Sequence, residues 1–131
     1  MRILDTDTCI ELLRGNQTVL QKRAAVVDDV VITWITAAEL YFGAARSASP
    51  DNNRSLVDEF LMTTERIDMD LKAAQAFGHI KALLQRGGES LPDADLLIGA
   101  IALAHGATLV TGNARHFERM PGVLLENWIR D

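Results

Sequence analysis

Val30-Val31-Ile32-Thr33-Trp34-Ile35 is the stretch on which the fold turns. It carries no charge and is dominated by β-branched and aromatic side chains, which suits a strand buried on both faces, as in a parallel sheet covered by helices. The flanking sequence agrees. Arg2–Asp5 reads as an earlier strand, followed by helices over about Cys9–Arg14, stopped at Gly15, and Asn16–Asp28. After the central run come helices over Thr36–Ser47 and Asp51–Glu65, a short strand Arg66-Ile67-Asp68, a long helix Leu71–Gln85 stopped by Gly87-Gly88, and a helix Pro92–His105 stopped by Gly106. Thr108-Leu109-Val110 and Val123-Leu124-Leu125 are the remaining strands. Strands alternating with helices predict an α/β fold with a central, mostly parallel sheet. Ligands of such sheets sit beyond the carboxyl ends of the strands, where the strand order reverses.

The composition sets limits on what the fold can do. A chain of 131 residues is one domain's worth, and 48% hydrophobic residues can fill a core. No apolar run is long enough to span a membrane, and Met1-Arg2-Ile3-Leu4-Asp5 meets an acid too early for a secretory signal. The single Cys9 allows no intramolecular disulfide and no cysteine-built zinc site, which points to the cytoplasm. With 13 Lys+Arg against 18 Asp+Glu, the net charge is −5. That excludes nucleic-acid binding by a general basic surface, unless a divalent cation offsets the acids locally.

The acids that could do so cluster at predicted strand ends. Asp5 and Asp7 follow the first strand in Ile3-Leu4-Asp5-Thr6-Asp7-Thr8. A Thr8–Glu11 capping box, with Asp7 assisting, accounts for Asp7 but poorly for Asp5. Glu39 lies in Thr36-Ala37-Ala38-Glu39, which is itself a capping box, yet it also follows a buried strand. Asp93 and Asp95 open the Pro92–His105 helix, where acids suit the helix dipole. Two residues apart, they do not share a face. Asp95 heads the apolar run Leu96-Leu97-Ile98 and is either solvated or aimed at a site; pattern alone does not choose. Thr111-Gly112-Asn113 follows another strand and reads as a turn or as a holder of water or phosphate. Oxygen donors of this kind suit hard cations such as Mg2+ or Mn2+.

In order and spacing, Leu4-Asp5-Thr6-Asp7-Thr8, Thr36-Ala37-Ala38-Glu39-Leu40 with Gly43-Ala44, Asp93-Ala94-Asp95-Leu96-Leu97-Ile98-Gly99-Ala100-Ile101-Ala102, Leu109-Val110-Thr111-Gly112-Asn113, Arg115-His116-Phe117 and Pro121–Trp128 resemble a PIN-domain ribonuclease of the VapC toxin group. The resemblance implies a single PIN domain over residues 1–131, an α/β/α sandwich. It implies a site in which Asp5, Glu39 and Asp95 hold Mg2+ or Mn2+ and hydrolyse a phosphodiester of a structured RNA, such as tRNA. It also implies a homodimer and a small cognate antitoxin that silences the site. The family's fourth position, often acidic, falls on Asn113, and Asp7 stands where relatives more often carry asparagine. Thr6 and Thr111 become candidates for orienting acids or water, Asp93 an accessory acid, and Arg115 a phosphate contact.

Two rivals remain. Asp5-Thr6-Asp7-Thr8 also resembles the first motif of haloacid-dehalogenase-type phosphatases, but no lysine follows Asn113, and only Glu118, Glu126 and Asp131 remain as acids. A PIN-like interaction module without catalysis is the other, favoured by Asn113. Cys9, Trp34 and Trp128 read as core residues. His79, His105 and His116 lack metal-ligand spacing, and His116 is not expected to act as a base. The stretches Leu56–Met62 and Ala73–Leu84 read as amphipathic packing surfaces.

Overall fold

The computed structural model of the protein describes residues 1–130. In chain order its elements are β1 (Arg2–Leu4), α1 (Thr6–Leu13), α2 (Gln17–Ala25), β2 (Val30–Thr33), α3 (Trp34–Ala45), α4 (Pro50–Met62), β3 (Glu65–Ile67), α5 (Leu71–Arg86), α6 (Asp93–His105), β4 (Thr108–Val110), α7 (Ala114–Phe117) and β5 (Leu124–Glu126). The strands form one sheet in the order β3-β2-β1-β4-β5, and every pairing is parallel. The chain moves outward from β1 to β3 on one side, then returns to place β4 and β5 on the other. The strand order therefore reverses at the β1/β4 junction.

Alternation along the strands divides the core into two layers. Ile3, Val31 and Leu109 face one side of the sheet, where they pack with residues of α5, α6 and α7, including Ile80, Leu96, Ile101 and Phe117. Leu4, Ile32 and Val110 face the other side, with Cys9, Val19, Ala37, Leu40, Val57 and Trp128. Both faces are apolar, as Val30–Ile35 predicts, and the strands carry almost no polar alternation.

Several boundaries differ from expectation, for a common reason. The connection from strand to helix is almost absent at β1–α1 and β2–α3, so the residue at the strand tip also caps the helix. Asp5 caps α1 by accepting from Thr6 N at 2.8 Å, and Thr33 caps α3 by accepting from Thr36 N at 3.1 Å. Both helices thus start before the Thr-x-x-Glu signatures, and Thr8 and Thr36 lie inside them rather than at their caps. The Val30–Ile35 run breaks at Thr33 for the same reason. Trp34, expected in the core, is 50% exposed at the start of α3, whereas Trp128 and Cys9 are buried as expected. The helix expected to reach Asp28 ends at Ala25, and the one expected to reach Glu65 ends at Met62, because Glu65 joins β3. Gly106, with φ 61°, closes α6 in the left-handed region.

Candidate active site

The strand reversal brings Asp5, just beyond β1, against Thr111, just beyond β4. Thr111 Oγ1 donates to Asp5 Oδ2 at 2.8 Å, while Asp5 Oδ1 takes the capping bond from Thr6 N. The backbone is fixed as well, since Asp5 N donates to Val110 O at 2.9 Å. Asp5 is only 5% exposed. Burial pushes its carboxyl up to about 7, and the charges of Asp7 and Asp95 push the same way; the bonds from Thr111 and Thr6 oppose them. No cationic side chain pairs with Asp5 among the described residues. It is a buried acid at the carboxyl edge of the sheet with no cationic partner.

Asp7 is held beside it. Gly112 N donates to Asp7 Oδ2 at 2.9 Å and Thr8 Oγ1 to Oδ1 at 3.3 Å. Asp7 therefore braces the turn after β4 rather than capping α1. Its pKa is raised, chiefly by burial, with the Gly112 bond and Arg130 among the opposing influences. Glycine suits this approach, since a Cβ at position 112 would lie 2.9 Å from both Asp7 Oδ2 and Ile129 Cδ1 and would push those side-chain ends back.

Glu39 enters from β2's side. Because α3 starts at Trp34, Glu39 lies in the second helical turn, where Thr6 Oγ1 donates to its Oε1 at 2.7 Å and sits 3.1 Å from Thr36 Oγ1. Thr6 links the segment after β1 to the helix after β2. Glu39 also borders a cleft of about 350 Å³ between α1, α3 and α4, lined largely by apolar residues such as Leu13, Leu40 and Leu56, with Arg14 and Arg46 beside them.

Asp95 arrives from the opposite layer. Its Oδ2 lies 2.9 Å from His116 Nδ1, and the same ring nitrogen lies 2.8 Å from Asn113 Nδ2. His116 is the one histidine expected near the site and not as a base; its contact with Asp95 was not foreseen. The signal was the three-residue spacing Asn113-Ala114-Arg115-His116, one helical turn, but α7 has only four residues and its sequence reads as a turn. Asp93 faces elsewhere, exposed and paired with Lys81 Nζ at 3.0 Å, as its two-residue offset from Asp95 predicts. Arg115 is exposed on α7 and has no polar partner among the described residues.

Among the described residues no three carboxylate, imidazole or thiol groups form a ready metal cage. The donors are nevertheless of the right kind: oxygen ligands around a buried carboxylate that lacks a counter-ion. A hard cation held by one or two carboxylates, with water completing its coordination, fits that set; a soft, thiolate-seeking ion does not.

A family model described as "PIN domain" matches residues 2–123, which include every site residue named above except Ile129 and Arg130. The chain belongs to the PIN-domain family. Similar PIN proteins include the tRNA(fMet)-specific endonuclease VapC of Salmonella typhimurium, 35% identical with 96% of each chain covered, and ribonuclease VapC2 of Rickettsia felis, 34% identical with 96% of each covered. Among solved structures, the chain is similar to VapBC2 from Rickettsia felis bound to a promoter DNA fragment, with a TM-score of 0.91, 32% identity, and 97% and 98% of the two chains covered. It is also similar to DNA-bound VapBC from Salmonella typhimurium, with a TM-score of 0.90, 34% identity and 97% of each chain covered. The PIN assignment and the all-parallel sheet bear out the expected fold class.

Proposed function

We propose that this PIN domain is a Mg2+- or Mn2+-dependent endoribonuclease acting as the toxin of a toxin–antitoxin pair. The observation that carries the reading is Asp5: a buried, uncompensated carboxylate at the strand reversal, with Asp7, Glu39 and Asp95 brought to the same sheet edge. VapC-named relatives over almost the whole chain support the same class of activity.

In this reading Asp5, Glu39 and Asp95 would surround the ion, one or two of them as direct ligands and the rest through water. When bound, the ion would supply charge neutralisation at the phosphodiester and a lowered pKa for the attacking water. The chain's own residues do the positioning. Thr111 and Thr6 N fix the two oxygens of Asp5, Thr6 Oγ1 fixes Glu39, and Gly112 N fixes Asp7. Arg115, exposed beside Asn113, would meet a substrate phosphate. The substrate is a structured RNA such as tRNA, the active form a homodimer and the setting the cytoplasm. A cognate antitoxin segment lying in the apolar cleft beside Glu39 would reach the site and cover it. The PIN assignment replaces the phosphatase reading, and three acids on separate segments of one edge argue against an inert module.

The test is cleavage of total bacterial RNA by purified protein with Mg2+ or Mn2+, with EDTA, and beside Asp5→Asn. Discrete fragments that disappear with EDTA and with the variant are expected. Cleavage that persists in Asp5→Asn would overturn the placement of the site.

A further inference from the structure

We infer that His116, steadied by Asn113, is a positioning residue that fixes the orientation of Asp95; its consequence for catalysis rests on the nuclease reading above. Asp95 sits in the first turn of α6, which fixes its backbone but not the orientation of its carboxylate. Among the described residues its only hydrogen-bond partner is His116, whose Nδ1 lies 2.9 Å from Oδ2.

The contact is built into the packing of α7 on α6. Gly99 lies four residues after Asp95, on the same helix face. A Cβ there would fall 2.5 Å from Met120 Sδ and 3.5 Å from Phe117 Cδ1. The missing side chain lets Phe117 and Met120, 0% and 2% exposed, press onto α6, and the adjoining His116 is thereby carried to Asp95.

The hydrogen bonding selects one tautomer. With its proton on Nδ1, the ring donates to Asp95 Oδ2, and Asn113 meets the same N–H through its amide oxygen, half a turn about χ2 from the orientation with Nδ2 inward. Without that proton, Asn113 Nδ2 donates and the ring lone pair is spent, leaving Asp95 Oδ2 facing an acceptor at 2.9 Å with nothing to share. The first arrangement satisfies all three groups and leaves Nε2 as an open acceptor. The fourth corner of the site is then a hydrogen-bonding pair acting on Asp95, and Asn113 is occupied in holding the ring rather than in ligating a cation.

Two measurements test this. Ring 15N NMR of the full chain should show His116 as the Nδ1–H tautomer, and Asp95→Ala should return it to Nε2–H. This readout needs neither metal nor RNA. Mn2+ binding followed by EPR is then compared for His116→Asn, His116→Gln and His116→Ala. The Asn amide nitrogen reaches the place of Nδ1 and the Gln nitrogen that of Nε2. Ala and Gln should weaken Mn2+ binding roughly 10–100-fold, with Asn within about threefold of wild type. In RNA cleavage the Ala variant should lower kcat with KM unchanged. An Nε2–H tautomer in the wild type, or unchanged Mn2+ affinity in His116→Ala, would overturn the inference. Wild-type protein that neither binds Mn2+ nor cleaves RNA would instead sink the nuclease reading, while the tautomer still decides the Asp95–His116 bond.

Discussion

Replacing Asp5 with asparagine should make the metal-free protein more stable while abolishing activity. Asp5 is raised from an ordinary 3.8 to about 7. At about 1.4 kcal/mol per pKa unit, holding it ionised above pH 7 costs the fold up to ~4 kcal/mol. The sign follows from proton binding. Between about pH 4 and pH 7 the folded chain keeps a proton at Asp5 that the unfolded chain has lost, so rising pH removes stability across that window. The substituted amide keeps the shape of the carboxylate, and its oxygen can still accept from Thr6 N. Its nitrogen then donates to Thr111 Oγ1, which turns its own proton away. The ~4 kcal/mol is already net of the bonds from Thr111 and Thr6, and imperfect refitting of the amide takes back ~1–2 kcal/mol. A net gain of ~2–3 kcal/mol at pH 8 remains, or roughly 6–12 °C in Tm for a chain of this size. The assay is thermal unfolding of both proteins in EDTA at pH 4 and pH 8. The gain should be present at pH 8 and absent at pH 4. Equal destabilisation at both values would refute the argument that burial of an uncompensated charge dominates at this position.

Glu39→Gln keeps an acceptor for Thr6, so it should fold normally but lose most of the rise in Tm that Mn2+ gives the wild type, a rise worth about 2.7 kcal/mol at a hundredfold excess over Kd. Gly99→Ala should cost ~1–3 kcal/mol by overpacking against Met120, read from urea unfolding, and should lower cleavage by moving α7 away from Asp95. Asp93→Asn, at an exposed position paired only with Lys81, should change stability by less than about 0.5 kcal/mol and leave cleavage intact. A large loss in that variant would move the third acid from Asp95 to Asp93.

The fold was legible because its strands are short and apolar on both faces. Val30-Val31-Ile32 and Leu109-Val110 have no polar alternation, and that alone demands helices on each side. The acids at the strand tips were equally visible. Their hydrogen bonds were not, because the capping signatures of Thr8–Glu11 and Thr36–Glu39 lie inside helices whose true caps, Asp5 and Thr33, sit at the strand tips themselves. Capping rules assume a loop between the two elements, and here there is almost none. The contact of His116 with Asp95 was hidden for a different reason. A helix of one turn has no periodicity to detect, and the glycine that sets its distance, Gly99, lies in another helix. Trp34 departs from expectation because a large apolar residue at the end of a buried run looks like its continuation, whereas the run has already become α3.

The two layers of the core contribute different parts of the site. Asp5, Asp7 and Glu39 come from the layer containing α1 and α3, and Asp95 and His116 from the layer containing α6 and α7. The site is therefore a seam that exists only when both halves are seated on the sheet. A nascent chain that has emerged only as far as β3 carries three of the acids but nothing to face them. Even a chain extending to Asp95 lacks β4, whose Thr111 clamps Asp5. On the nuclease reading proposed above, the candidate site is thus incomplete until nearly the whole polypeptide has folded.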